Sequence, residues 1–151
     1  MAADAVAIAA ALARRFEGLY PTPDLCPAGV PTIGYGATHY LDGRAVHLTD
    51  APISRETAER LLLAQVRTVY MPAVLRLCPG ADSPERLAAL IDFAFNLGTG
   101  ALRASTLRKR VNAGAWLAVP DELRKWNMAG GRVLRGLQRR REAEAALIGW
   151  A

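Results

Sequence analysis

One stretch of the chain concentrates residue types suited to acid chemistry. Arg15-Phe16-Glu17-Gly18 places a lone carboxyl at the end of an alanine-rich segment. Cys26-Pro27-Ala28-Gly29-Val30-Pro31-Thr32-Ile33-Gly34-Tyr35-Gly36 then follows as a run of small, proline-broken residues. An acid at a helix terminus beside an open cleft is partly desolvated, which favours its protonated form, so Glu17 suits delivery of a proton to a leaving group. Most glutamates in any sequence are solvated surface groups; the surrounding stretch singles this one out. His39 and His47 read as exposed hairpin residues, and no cluster has metal-ligand spacing, so neither metal nor cofactor is expected.

The elements that must position these residues can be read from periodicity and caps. Asp4 to Phe16 reads as a helix with Val6, Ile8, Leu12 and Phe16 as its larger apolar positions, delivering Glu17 at its C-terminal end. Gly18 to Pro31, rich in proline, reads as loop, and Thr32 to His39 and Gly43 to Leu48 flank an Asp42-Gly43 pair that favours a hairpin. Ser54 caps a helix with Ala58, Leu62, Val66, Val69, Ala73 and Leu77 on one face, long enough to span about 35 Å and expected to kink at Pro72.

Ser83-Pro84 opens another helix, and Leu87 to Leu97 is apolar on nearly every side, the mark of a central buried helix. Further helices are expected at Leu102 to Asn112, Asp121 to Asn127 and Leu134 to Ile148. The fold class is α+β: a small N-terminal hairpin or sheet lobe and a larger helical lobe, joined by the long helix. One domain over 1–151 is expected, with the sheet lobe at about 17–53 and the helical lobe at about 54–151 plus the N-terminal helix.

Composition narrows the partners. With 52% hydrophobic and 22% charged residues, and no low-complexity tract, disorder is excluded. The apolar stretch from Ala5 to Ala13 is far short of the ~20 residues of a membrane span and follows Asp4 rather than a basic segment, so neither signal peptide nor stable membrane insertion is expected. Cys26 and Cys78 both sit in Leu-Cys-Pro contexts and are expected to be reduced thiols. A net charge of +5 and a pI near 9.8 suit an anionic partner, such as a cell envelope carrying carboxylates, and the C-terminal half holds most of the arginines. Nucleic acid would satisfy the charge as well, but no recognisable nucleic-acid motif occurs.

Phe16-Glu17-Gly18, a glycine twelve residues after the glutamate, and Thr32-Ile33-Gly34-Tyr35-Gly36 starting fifteen after it resemble the active-site stretch of phage-type lysozymes, of the T-even lysozyme-like kind. Phe93-Ala94-Phe95-Asn96-Leu97-Gly98-Thr99-Gly100, Ser105-Thr106-Leu107, Asn112-Ala113-Gly114, the Trp126 segment with Gly130-Gly131-Arg132-Val133-Leu134, and Gly136-Leu137-Gln138-Arg139-Arg140 with Glu144 resemble the family's later motifs in the family's order. The resemblance covers about Phe16 to Ile148. It implies a lysozyme-like fold and a peptidoglycan hydrolase acting on the β-1,4 bond between N-acetylmuramic acid and N-acetylglucosamine during host lysis, as a monomer. It also implies synthesis in the host cytoplasm and release to the wall with help from a separate membrane-permeabilising protein.

The resemblance makes Glu17 the general acid and Thr32 a holder of the attacking water, the inverting arrangement. The family's aspartate position, nine after the glutamate and six before the threonine, holds Cys26, with Asp24 two residues away. Cys26 reads either as an active-site thiol that polarises water or attacks as thiolate, or as a small buried hydrophobe. Ala37 stands where the family usually has a histidine. Arg139 matches the arginine near the family's glutamate, or reads as a solvated helix charge.

Asn96, Ser105, Thr106 and Arg139 are the substrate-binding candidates. Asn96 and Asp92 also read as partners of buried polar groups, and Trp116, Trp126 and Trp150 as core packing rather than sugar stacking. Two other activities stay open: a lytic transglycosylase working with a single glutamate, which the absent aspartate would allow, and a non-catalytic peptidoglycan-binding module.

Overall fold

In the computed structural model, which describes residues 1–149, the alanine-rich segment forms α1 (Ala2–Glu17). It ends at Gly18, whose φ of 73° lies where a side chain would be strained, so the chain turns away directly after Glu17. The chain then forms β1 (Tyr20–Leu25), antiparallel to β2 (Pro31–Gly34), with Asp24 opposite Thr32. This strand was not expected, because neither Pro21 nor Pro23 has an amide N–H to donate to a ladder. A two-stranded sheet tolerates them: each strand is an edge, and the register is irregular between Tyr20 and Asp24.

The expected Asp42-Gly43 hairpin keeps its turn, with the Tyr40 amide donating to the Arg44 carbonyl at 2.9 Å, but only one bridge, His39 with Ala45; a separate bridge, Ile33 with Ala37, closes the Gly34-Tyr35-Gly36 turn. The sheet of this lobe is β1–β2 instead. Ile33, Ala37, Val46 and Leu61 form its small core.

Ser54 caps α2 (Arg55–Gln65), its hydroxyl accepting from the Thr57 amide. The long helix continues through a π turn (Val66–Tyr70) into α3 (Met71–Leu77), near whose start Pro72 lies. Proline has no amide for an α-helical bond, and its ring crowds the carbonyl four residues back; the wider turn before it relieves that conflict, and the Met71 amide reaches back to the Val66 carbonyl. One extra residue in the turn advances the helical phase. Val69, expected on the buried face, is 52% exposed, whereas Ala73 and Val74 are buried.

Ser83 caps α4 (Pro84–Leu97), where every residue from Leu87 to Ala94 is fully buried, as a central helix requires. Small alanines on α1 pack closely against α4, and α8 (Arg135–Gly149) packs on another side.

The single helix expected over Leu102 to Asn112 is two, α5 (Thr99–Ala104) and α6 (Thr106–Asn112). They break at Ser105, whose backbone is extended and whose hydroxyl caps α6 through the Arg108 amide. A 3₁₀ turn (Trp116–Ala118) leads into α7 (Val119–Arg124), and Gly130-Gly131 joins a short hairpin of β3 (Met128–Ala129) and β4 (Arg132–Val133). Trp126 packs edge-on to Phe93 with ring centroids 5.3 Å apart, and Trp116 lies under the Arg86 guanidinium at 4.1 Å. Trp150 lies outside the described residues.

Candidate active site

A cleft of about 620 Å³ opens between the sheet lobe and the helical lobe. The end of α1 contributes Glu17, the β1–β2 unit contributes Asp24, Cys26 and Thr32, and α4 contributes Phe95 and Asn96. Gln65, just before the π turn, and Tyr70, its last residue, line it too and are shared with an adjoining hollow of about 410 Å³ near Thr38 and Tyr40. The smaller hollow holds none of the carboxylates of the larger one, so the chemistry belongs to the larger.

Local structure fixes the sheet-lobe side of the cleft. The Cys26 amide donates to the Val30 carbonyl at 2.9 Å and the Gly29 amide donates back to Cys26 at 2.8 Å, a tight turn that presents the thiol from a partly buried position. The Thr32 hydroxyl is 3.4 Å from the Asp24 carbonyl, and the Asp24 carboxylate accepts from the Leu25 amide at 2.7 Å. At the end of β2, the Gly34 backbone is so close to α2 that a β-carbon there would lie 3.2 Å from that of Ala58. Tyr35, buried, donates to Glu59 at 3.0 Å, and Arg14 holds the other Glu59 oxygen at 2.6 Å. This contact ties α1, β2 and α2 together and sets Thr32 relative to Glu17; burial and the Glu59 carboxylate push the Tyr35 hydroxyl above its usual pKa.

The helical side is electrostatic. Glu17 is 27% exposed and accepts from Nη1 of Arg140 at 2.7 Å. Nε and Nη2 of the same guanidinium hold both oxygens of the fully buried Asp92 at 2.8 Å each. Burial works to lower the Arg140 pKa, but Asp92 and Glu17 more than offset it and the net shift is upward. Burial and the nearby Glu17 charge raise the Tyr70 hydroxyl above its usual range.

The structure thus brings together Glu17, Cys26, Thr32 and Asn96, with Asp24 beside them. Asn96 also accepts from Arg141 at 2.8 Å, in keeping with its reading as a polar partner. Ser105 is buried with its hydroxyl committed to the α6 cap and the Leu102 carbonyl, and Thr106 stands exposed at the start of α6; neither lines the cleft.

The arginine on Glu17 is Arg140, not Arg139, which is exposed on α8. The face of α8 could have given this: Ile148, Glu144 and Arg140 fall four apart, as do Ala145 and Arg141, and all five are buried. Tyr70 was missed because only the π turn brings it to the cleft. Cys26 and Cys78 are both free, and burial pushes the Cys78 thiol up to about 11.

Fold and cleft together are those of a lysozyme-like protein, a two-lobed α+β architecture with a lone glutamate at the end of the first helix. Residues 14–144 match the phage lysozyme family, and the chain belongs to it. It is 36% identical over 144 residues to an endolysin of Acyrthosiphon pisum secondary endosymbiont phage 1, covering 91% of this chain and 92% of the relative. It is 42% identical over 117 residues to an endolysin of Bacillus phage B103, covering 78% of this chain but only 42% of that longer relative. Among solved structures, it resembles an endolysin from Escherichia coli O157:H7 phage FAHEc1 with a TM-score of 0.80 at 32% identity, covering 93% of this chain and 90% of that one.

Proposed function

We propose that this chain is a peptidoglycan hydrolase of the endolysin type that cuts the β-1,4 bond between N-acetylmuramic acid and N-acetylglucosamine for host-cell lysis. On this reading it is one catalytic domain of the T-even lysozyme-like kind. The observation that supports it most is the convergence of Glu17, Cys26 and Thr32, from three separate segments, on one interlobe cleft. Glu17 donates its proton to the glycosidic oxygen as the bond to the anomeric carbon breaks. Arg140 shares its guanidinium between Glu17 and Asp92, so it orients the Glu17 carboxyl while its charge is largely committed to the buried aspartate.

Water enters from the opposite face of the sugar, oriented by the Thr32 hydroxyl and the group at position 26, and the product anomer is inverted. The Asp24 carboxylate in the same cleft offers a proton acceptor and favours hydrolysis over ring closure by the sugar's own hydroxyl. The test is digestion of purified peptidoglycan followed by mass analysis of the fragments. Fragments carrying the added water are expected; anhydro ends would reassign the chain as a transglycosylase, and binding without clearing of turbidity as a wall-binding module.

Cys26 carries a separate expectation. If its thiol helps hold the water, Cys26→Ser lowers turnover substantially with little change in Tm, and Cys26→Asp retains or raises activity by supplying a carboxylate at the same place. A thiol that only fills space would give the reverse pattern: Ser mild, and Asp destabilising as an unpaired charge in an apolar site. Turnover and Tm of the two variants decide between them.

A further inference from the structure

The smaller hollow beside the cleft has no part in the proton transfer above, and its walls have a chemistry of their own. At about 410 Å³ it lies within the range of small-molecule sites, about 300–1,000 Å³. His39, Tyr40 and Leu41 of the sheet lobe form one wall, and Leu61, Thr68 and Val69 of the long helix form the other. Leu41 and Val69 are 61% and 52% exposed, so apolar surface lies open to a ligand here.

None of the lining side chains carries a permanent charge. The charged groups next to the sheet-lobe wall are already engaged. Asp50 accepts from the Tyr40 hydroxyl at 2.6 Å and from the His47 amide at 2.9 Å, and Arg44, stacked on the Tyr40 ring, pairs with Asp42 at 2.8 Å.

Thr38, Gln65 and Tyr70 line both the hollow and the cleft, so the two form one continuous groove. The π turn makes this junction. In an α-helix, residues five apart point about 140° away from each other. The π turn, closed by the Met71 amide on the Val66 carbonyl, adds a residue and draws Gln65 and Tyr70 toward one side, where both meet the groove. Phe95 braces the Tyr70 ring, with centroids 5.1 Å apart and planes tilted by 58°. The hydroxyls of Thr38 and Thr68 are spent within the walls, at 2.9 Å on the His39 ring and 2.6 Å on the Ala64 carbonyl, whereas the Gln65 amide and the Tyr70 hydroxyl have no partner among the described residues.

We propose that this hollow is a further sugar subsite, holding an N-acetylated sugar of the same glycan strand beyond those in the cleft, with Gln65 and Tyr70 as its polar contacts at the junction. This rests on the reading of the cleft as a peptidoglycan-cutting site. An N-acetylated sugar presents an amide that both donates and accepts, hydroxyls, and an apolar methyl and ring face. Gln65 matches the amide, Tyr70 the hydroxyls, and Leu41 and Val69 the apolar parts. A stem peptide instead presents carboxylates, whose recognition calls on arginine or lysine, and the hollow is lined by neither.

Binding energy gained away from the scissile bond raises kcat/KM for substrates long enough to reach it. The test uses glycan strands stripped of peptide by an amidase and fractionated by length. For the wild type, kcat/KM should rise about tenfold between strands too short to reach the hollow and strands that fill it, the worth of one or two hydrogen bonds. Ala64→Trp places an indole in the hollow and should abolish that rise. A variant damaged only in its fold would lose activity on every length and keep the ratio of long to short.

Backbone amide NMR shifts of Glu17→Gln supply a second measurement should Ala64→Trp not fold. Short stripped strands should move the amides of Cys26 and Thr32 alone, and long ones those of Leu41, Thr68 and Val69 as well. A wild type indifferent to length, a folded Ala64→Trp that keeps the rise, or hollow amides that respond only to peptide-bearing strands overturns the proposal. Absence of cleavage and of any shift, with any strand, would instead overturn the reading beneath it, and the subsite with it.

Discussion

Glu17→Gln is expected to abolish nearly all clearing of peptidoglycan, by about 10²–10⁴-fold, the usual contribution of a general acid. The amide has the shape of the acid but no proton of suitable acidity, so the leaving oxygen departs unprotonated. The fold should tolerate the change: Glu17 is partly exposed, and Arg140 keeps both of its bonds to Asp92. The amide oxygen can still accept from Nη1, so the cost is that of weakening one charged hydrogen bond to a neutral one, about 1 kcal/mol. Initial clearing rates and Tm measured side by side check both halves. More than about a tenth of wild-type rate in a folded variant would remove Glu17 from the chemistry.

How much of this was legible in the sequence depends on which force decides each element. Alanine content and Gly18 gave α1 within two residues, and Ser54 and Ser83 gave the starts of α2 and α4, because helix caps are local chemistry. Resemblance to the family's active-site stretch, with its spacing of Glu17, Cys26 and Thr32, picked out three candidates that line one cleft.

Where packing overrides local preference, the sequence was silent or misleading. Pro21 and Pro23 argue against a strand, yet β1 forms as an edge with an irregular register. Ser105 looked like a residue inside a helix, and tertiary packing made it a cap. Of the adjacent Arg139, Arg140 and Arg141, motif matching chose the exposed first, while the buried-face arithmetic of α8 selects the other two. A π turn leaves no periodic signal of its own, so Tyr70 and Gln65 came to the cleft unannounced.

Arg140→Met is expected to be the most destabilising single change near the site. The side chain is 4% exposed, and its guanidinium is the partner of both Asp92 oxygens, with Asp92 itself fully buried. Methionine fills similar volume but leaves a buried carboxylate uncompensated, and breaking a buried pair from one side costs about 3–5 kcal/mol. Arg139→Met, one residue earlier on the exposed face, should change stability by less than about 0.5 kcal/mol, which makes it the matched control.

The double change Arg140→Met with Asp92→Asn removes both charges and should recover much of the loss, because the penalty lies in the orphaned charge rather than in the missing attraction. Urea unfolding of wild type, Arg140→Met, Asp92→Asn and the double variant gives the coupling directly. Recovery of stability without recovery of clearing would separate the two jobs of Arg140, since the double variant restores charge balance at Asp92 but leaves Glu17 without its guide. Equal losses in Arg139→Met and Arg140→Met would show that the buried pair does not hold α8 to α4.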